Sequence, residues 1–494
     1  MRKAPPSSDW LGLDCSPLVP DEFAEFRPLV SEAVLFFLER LSMPRIEELA
    51  ACQCALPVDA TDEERLATLI SRCPTLHKLG QVVARDRRLT PGLRRHLQGL
   101  ESMEPVTPFA QVAETIRREV SADCVRAMTV DTRPLAEASV AVVVPFTAGG
   151  PSGEGRVHGV MKALKPHIRE RLGEELEIWA SLAPFIDERC RQQDLPALRC
   201  SEIFEAVRDL LSKEVRLDLE QAHLTEAARF YADSEKVQIP QVMPCSTPGI
   251  TIMERVFGTK VTDAGHLSEA ERKELAGLVL RELVAKPIWS QSSWAMFHAD
   301  PHAGNLLYTH DHRLAILDWS LVGHLDKTER EQTAQIVLGA FNLDPYRVRR
   351  AIAAMATNVP DETALCEVVD RAVGALYRTE PPSLRWLLNL LGDAMLKAGV
   401  GFGEDLVLFR KSVLTLEGVA ADVSTNTSLG RVLPLSGGLE LLREWARRCI
   451  ASPISRDFGT HVSNLDLLSL YFAAPSAAGR FISDWLFRPT LKKW

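Results

Sequence analysis

The sequence predicts an α+β chain in two lobes, a small β-rich lobe carrying a helix and a large, mostly helical one, preceded by a helical extension. Three observations carry this. Apolar residues at three- and four-residue spacing fill most of 21–130. Near residue 134 the texture changes to SVAVVVPF, a strand run. A Gly/Pro/Ser turn (AGGPSGEG, 148–155) then leads to a second strand run, RVHGVMKAL, which is a hairpin signature. From 326 to 453 the chain is almost all amphipathic helix.

In chain order, residues 1–20 are rich in Pro and Ser and are expected to be disordered. AEFRPLVSEAVLFFLERL reads as helix, and DATDEERLATLISRC begins with Asp and Thr caps followed by acids, a helix start. PFAQVAETIRREV is a further helix. After the 134–164 hairpin, helix resumes over 169–230. Short strands are expected at Val237–Val242 and Ile250–Met253, then a helix from near His266. FHADPHAGNLLY is a polar loop opening into a strand, and LAILDWS is its hairpin partner. The resulting boundaries are 1–20, 21–130 (helical extension), 131–256 (small lobe), 257–425 (large lobe) and 426–494 (C-terminal helical tail).

Composition narrows the function. Hydrophobic residues make up 46% and charged residues 25%, as in a folded soluble chain, which excludes disorder, collagen and a disulfide scaffold. The net charge of −9 with no basic tail excludes a general nucleic-acid binder. Ten scattered cysteines without CxxC spacing read as buried thiols in a reducing compartment, hence a cytoplasmic protein. The charge-free runs 138–153 and 237–253 are broken by Pro or Gly and are too short to span a bilayer. RFISDWLFRPTLKKW (480–494) mixes Trp, Phe, Leu and Lys as interfacial segments do, so peripheral membrane contact stands beside docking on the large lobe.

The densest polar constellation is His298, Asp300, His302, Asn305 and Asp318. Asn305 lies five positions after Asp300, and Asp318 thirteen after Asn305. Phosphoryl transfer needs such a set. One carboxylate orients or deprotonates the nucleophile, while an amide oxygen and a second carboxylate hold Mg²⁺ against nucleotide phosphates. A capped turn is the plain alternative. A metal site on His298 and His302 is another, against which Pro301 and Gly304 argue by breaking any helix there.

Such chemistry demands a lysine on a small-lobe strand. Lys162 shares a strand face with Val160 and Leu164, and an inward lysine needs an anion. Lys165 is expected to face solvent. Glu214 and Glu220, in KEVRLDLEQAHL, are candidate carboxylate partners. No GxGxxG precedes Lys162. PLAEASVAVVV stands there instead, with Ala136, Ala138 and Ser139 small enough for backbone to approach phosphates.

At these residues the chain resembles the UbiB/AarF family of atypical protein-kinase-like proteins. Lys78-Leu79-Gly80-Gln81 matches the family's KxGQ, PLAEAS its alanine-rich loop, VMKALKP its lysine strand, and FHADPHAGN is near HxDxHPGN. MERVFGTKVTD (253–263) resembles the segment joining the lobes, and FRKSVLTLEGV (409–419) a C-terminal helix. The resemblance covers about 65–425. It implies a two-lobed protein-kinase-like fold, with the extension folded over the site, and Mg²⁺ and ATP as cofactors bound between the lobes. Lys78 would pair with Glu214 and Lys162 with Glu220, Asp300 would be catalytic, and Asn305 and Asp318 would hold Mg²⁺. Gln81, Ala136, Ala138, Ser139 and Glu254 would join Lys78 and Glu214 around the nucleotide. ATPase or kinase activity linked to isoprenoid-quinone or lipid metabolism is implied, with a lipid, a quinone precursor or a biosynthetic complex as partner.

Several positions depart from the pattern. Arg216 replaces the second acid of the family's ExD, Asp318-Trp319-Ser320 replaces DFG, and Ala303 replaces the proline of HPGN. Two other functions follow from the same residues. HADPHAGN with LDWS is also similar to aminoglycoside and choline kinases, which lack KxGQ. A pseudokinase acting as a partner protein is the other, motivated by Arg216 and by the DWS change.

Overall fold

The computed structural model describes residues 14–83, 89–99, 107–149, 156–196, 198, 200–376, 382–427 and 429–472. Its helices are α1 (Arg27–Arg40), α2 (Met43–Cys54), α3 (Asp62–Arg72), α4 (Pro74–Val83), α5 (Pro91–Gly99), α6 (Phe109–Glu119), α7 (Ala122–Arg126), α8 (Ile168–Gln192), α9 (Cys200–Glu214), α10 (Leu217–Phe230), α11 (Glu269–Leu280), α12 (Lys286–Ile288), α13 (Lys327–Asn342), α14 (Pro345–Met355), α15 (Glu362–Leu376), α16 (Leu384–Ala398), α17 (Glu404–Val423) and α18 (Leu429–Ile450). Its strands are β1 (Met128–Val130), β2 (Ala136–Glu137), β3 (Ala141–Gly149), β4 (Arg156–Leu164), β5 (Val237–Gln238), β6 (Ile250–Glu254), β7 (Gly258–Lys260), β8 (Trp294–His298), β9 (Leu306–Thr309), β10 (Leu314–Ile316) and β11 (Val322–Asp326). The molecule is α+β, and the chain divides into two compact units, Met1–Thr225 with Pro240–Arg255 and Glu226–Ile239 with Val256–Trp494.

The first unit is built on an antiparallel sheet in the order β1-β3-β4-β6, with β2 also paired to β3. Period-two alternation along β3 and β4 gives two unlike faces. Val142, Val144, Met161, Ala163 and Ile252 pack against Val112 and Ile116 of α6. Leu164, beyond Lys162 on the other face, joins a core with Leu172 and Trp179 of α8 and Leu211 of α9. The entry to α4 is fixed by a buried knot. Arg45 reaches Glu175 at 2.8 Å, and the Thr75 N–H and hydroxyl donate to the same carboxylate at 2.9 and 2.7 Å. Burial pushes the Glu175 carboxyl pKa up, and only this full set of partners makes its ionised form tolerable.

The second unit holds a four-stranded sheet, β5-β10-β9-β7, and a two-stranded ribbon, β11-β8. β9 and β10 form the expected hairpin, with Leu307 opposite Ala315. Helices α13–α18 supply most of the rest. Among the described residues no helix is long and apolar enough to cross a membrane.

Three expectations need correction. The cysteines are not all thiols, because Cys124 and Cys245 are bonded, their Cα atoms 6.5 Å apart. Both pack against the α6 side of the sheet, which brings residues 121 apart in sequence together. The strand expected at Val237–Val242 shrinks to two residues, since Pro240 has no N–H for a ladder. Those two residues pair parallel with β10. Lys165 does not face solvent, for reasons given below. The turn residues 150–155 and the tail 480–494 lie outside the described residues.

Candidate functional site

Lys162 sits in the middle of β4, opposite Val143 on one side and Thr251 on the other. Its ammonium lies 2.8 Å from Glu220 Oε1, and both groups are nearly out of water, with side-chain exposures of 10% and 2%. Glu220 is in the first turn of α10, where a helix favours negative charge. Lys78 of α4 makes an ion pair with Glu214 at the end of α9. The Ser139 hydroxyl donates to the other Glu214 oxygen at 3.0 Å. Lys78, Glu214 and Ser139 therefore form one cluster. Ala136, in β2, and Ala138, on the β2–β3 turn next to Ser139, are exposed. Gln81 lies on α4, with its side chain outside the described residues. Glu254 closes β6 opposite Gly159, its N–H donating to the Gln241 carbonyl.

Lys165 follows the last residue of β4 and is turned onto Glu137 at 2.8 Å. Glu137 also accepts from the Thr107 N–H and hydroxyl at 2.9 and 3.0 Å. Alternation puts Lys165 on the face of Met161 and Ala163, and the Lys165 N–H still donates to the Val140 carbonyl at 2.9 Å. That face is covered by α6 and not open to water, so the ammonium meets Glu137 there.

The second unit holds the acidic set. His298 ends β8 and is buried, its ring 4.9 Å from that of Trp319. Its Nδ1 accepts from the Asp300 N–H at 3.2 Å and its Nε2 faces the Leu317 carbonyl at 3.0 Å. One nitrogen must accept and the other donate, which selects the neutral Nε2–H form. Burial lowers the His298 pKa in agreement. The ring therefore splints the turn before Asp300 to the residue before Asp318. With both nitrogens engaged and His302 Nδ1 accepting from the Gly304 N–H at 3.1 Å, neither histidine is poised as a metal ligand. A side chain at Gly304 would begin 2.9 Å from the His302 ring, which would have to move to admit it.

Asn305 closes a 3₁₀ turn (Ala303–Asn305). Its Nδ2 donates to the Asp300 carbonyl at 3.1 Å, which fixes the amide's orientation and leaves Oδ1 as its acceptor end. The Leu317 N–H donates to the Asn305 carbonyl at 2.8 Å, tying the loop to the residue before Asp318. Asp318 has φ +50°, in the left-handed region that aspartate tolerates better than most residues, and its Oδ1 accepts from the Ser320 N–H at 3.2 Å. Trp319 is fully buried, its indole N–H donating to the Ile316 carbonyl. The residue in the DFG phenylalanine position thus acts as a core anchor. The acceptor chemistry of Asn305 and Asp318, one amide oxygen and one carboxylate joined through Leu317, suits a hard divalent cation.

Two contributors escaped the sequence reading. Lys411 of α17 lies 3.3 Å from Asp300 Oδ1, and Ser412 donates to the His298 carbonyl at 2.8 Å. The FRKS run was visible as a helix, but nothing local ties it to a loop 111 residues earlier. Arg216 is exposed and forks onto Asp218 at 2.8 and 2.6 Å, which keeps the Asp218 carboxyl below its usual pKa.

A family model for the ABC1 atypical kinase-like domain matches residues 99–352, just over half of the 494. Among curated proteins, "Probable protein kinase UbiB" of Xanthomonas oryzae pv. oryzae is 26% identical over 377 residues, covering 73% of this chain and 66% of that protein. The protein of the same name from Xylella fastidiosa (strain M23) is 26% identical over 364 residues, covering 70% and 63%. The chain spans just under two thirds of the length of these relatives. Among solved structures, that of Rv3197 with erythromycin from Mycobacterium tuberculosis matches at 14% identity, with a TM-score of 0.47, over 82% of this chain and 94% of that one.

Proposed function

Since the chain belongs to the ABC1 atypical kinase-like family, we propose that it binds Mg-ATP and acts as a UbiB-type ATPase or kinase. The observation that carries this is the Lys162–Glu220 pair, a lysine held almost dry on a central strand. An ammonium kept there at the cost of desolvation is suited to meeting phosphate oxygens. In this reading Glu220 aims Lys162, and Lys78, Glu214 and Ser139, with Gln81, Ala136, Ala138 and Glu254, line the nucleotide. Asn305 and Asp318 would hold Mg²⁺, which when bound would neutralise phosphate charge. Asp300 would orient the hydroxyl or water that attacks, its carboxylate kept in place by Lys411. An acceptor from isoprenoid-quinone or lipid metabolism follows from the family resemblance, a cytoplasmic location from the scattered cysteines, and peripheral membrane contact from the composition of 480–494. Liposome co-sedimentation of the full chain against a truncation at 479 tests the contact.

The central test is thermal unfolding with Mg-nucleotide. Ligand at 100 times its Kd should add about 2.7 kcal/mol. Lys162→Ala and Asp318→Asn should remove the shift. A wild type that does not respond, or an Asp318→Asn variant that responds equally, rejects the proposal. A second reading, nucleotide binding without turnover, is favoured by Arg216 in the acid position. Hydrolysis by wild type that is abolished in Asp300→Asn would exclude it.

A further inference from the structure

A cavity of about 580 Å³ opens in the first unit among the start of α8, the α3–α4 corner, α6 and the β2–β3 turn. That volume suits a small metabolite. Arg72, Arg118, Lys165 and Arg171 line it, with Glu48 and Glu137 among its acids. Both of these acids are already engaged, Glu137 by Lys165 and Thr107, and Glu48 by Arg171 at 2.9 Å. Arg72 differs. Among the described residues it makes no ion pair, and its buried Nε has no hydrogen-bond acceptor. Burial first, then the Arg72 and Arg171 charges, hold the Lys165 pKa below that of an ordinary lysine in spite of Glu137. The cavity wall carries four cations against three acids, Glu48, Glu114 and Glu137, and only Arg72 among the three cations facing the start of α8 lacks an acidic partner among the described residues. The 25-residue α8 begins there as well, and its N-cap residue, His167, makes no side-chain cap. A helix start favours anions.

From these observations we propose that the cavity binds a small soluble phosphorylated molecule, with the phosphate held by Arg72, Lys165 and Arg171. Guanidinium forks match phosphate oxygens better than ammonium groups do, and two of the three cations are arginines. Lys78, Lys162 and Glu220 do not line the cavity. Ser139 does, and it is the residue shared with the proposed nucleotide set.

The test titrates the full chain with inorganic phosphate and with glucose 6-phosphate. Glucose is the control, ionic strength is held constant with chloride, and binding is read by calorimetry and thermal unfolding. Both phosphates should bind saturably and glucose should not. Arg72→Gln should raise Kd at least tenfold while leaving the unliganded Tm and the Mg-nucleotide response unchanged, because its side chain has no partner to lose. Arg72→Lys, which keeps the charge but not the fork, should fall between. Absence of saturable phosphate binding, or unchanged affinity in Arg72→Gln, would overturn the proposal. So would phosphate binding lost in Lys162→Ala but kept in Arg72→Gln, which would place the phosphate among the nucleotide residues.

Discussion

Lys162 and Glu220 pay for their burial only while both are charged. Removing one partner strands the other, at a cost of about 3–5 kcal/mol. Glu220→Ala is therefore expected to lose that much stability in urea unfolding, and Lys162→Met combined with Glu220→Leu to regain most of it. Nucleotide response should be absent from both variants. A double variant no more stable than the single would show that the cost lies in packing and not in charge. The residue scale also sets a pH limit. His461 is buried against the Ile288 carbonyl, and burial, with Arg330 nearby, brings its pKa down to about 4. Unfolded histidine titrates near 6.5. Between those values the unfolded chain binds the extra proton, so stability is full above pH 6.5 and falls as pH drops toward 4. The loss at the lower end is on the order of 3 kcal/mol. His298 acts in the same direction. His461→Gln should flatten the stability profile over that window, and an unchanged slope would remove His461 from the account.

At the scale of elements, the β8–β11 ribbon carries the loop that begins at His298. Gly323 of β11 pairs with Phe297 of β8, and a side chain there would begin 2.3 Å from the Phe297 ring and 2.8 Å from Asp405 Oδ1. Phe297 is fully buried and edge-on to Phe409 at 5.0 Å, so it has little room to yield. Gly323→Ala should cost about 1–3 kcal/mol by overpacking and weaken nucleotide response by shifting His298. Gly277→Ala, in α11 with nothing near its added carbon, is the matched control and should be neutral or slightly stabilising. Equal behaviour of the two in melting and in ligand titration would refute the strain argument. The same scale shows what was legible. β3 and β4 are readable because each is a nine-residue run beside a Gly/Pro/Ser turn, whereas β1 and β2, with three and two residues, are too short to carry a pattern. The Asp300–Asn305–Asp318 spacing is local and survived in the sequence. The contacts from Lys411 and Ser412 depend on helix packing and did not.

Over the whole chain, the least legible feature is the bond between Cys124 and Cys245, which ties α7 to the loop before β6 across 121 residues. Spacing rules for cysteine work on short-range pairs, and composition argued for thiols, so only the folded sheet could bring these two together. A cross-link of that span restricts the unfolded chain more than a short one does, with about 2–4 kcal/mol as the usual size of the effect. Cys124→Ser with Cys245→Ser should therefore unfold at lower denaturant than wild type in oxidising buffer. In reducing buffer the gap should close, because wild type then lacks the bond as well. Peptide mapping without reductant should recover the two segments joined, with Cys52, Cys54 and Cys449, which are exposed or half-buried, open to alkylation. A stability gap that persists under reductant would assign the effect to the lost thiol packing around Met128 and Val130 instead of to the cross-link.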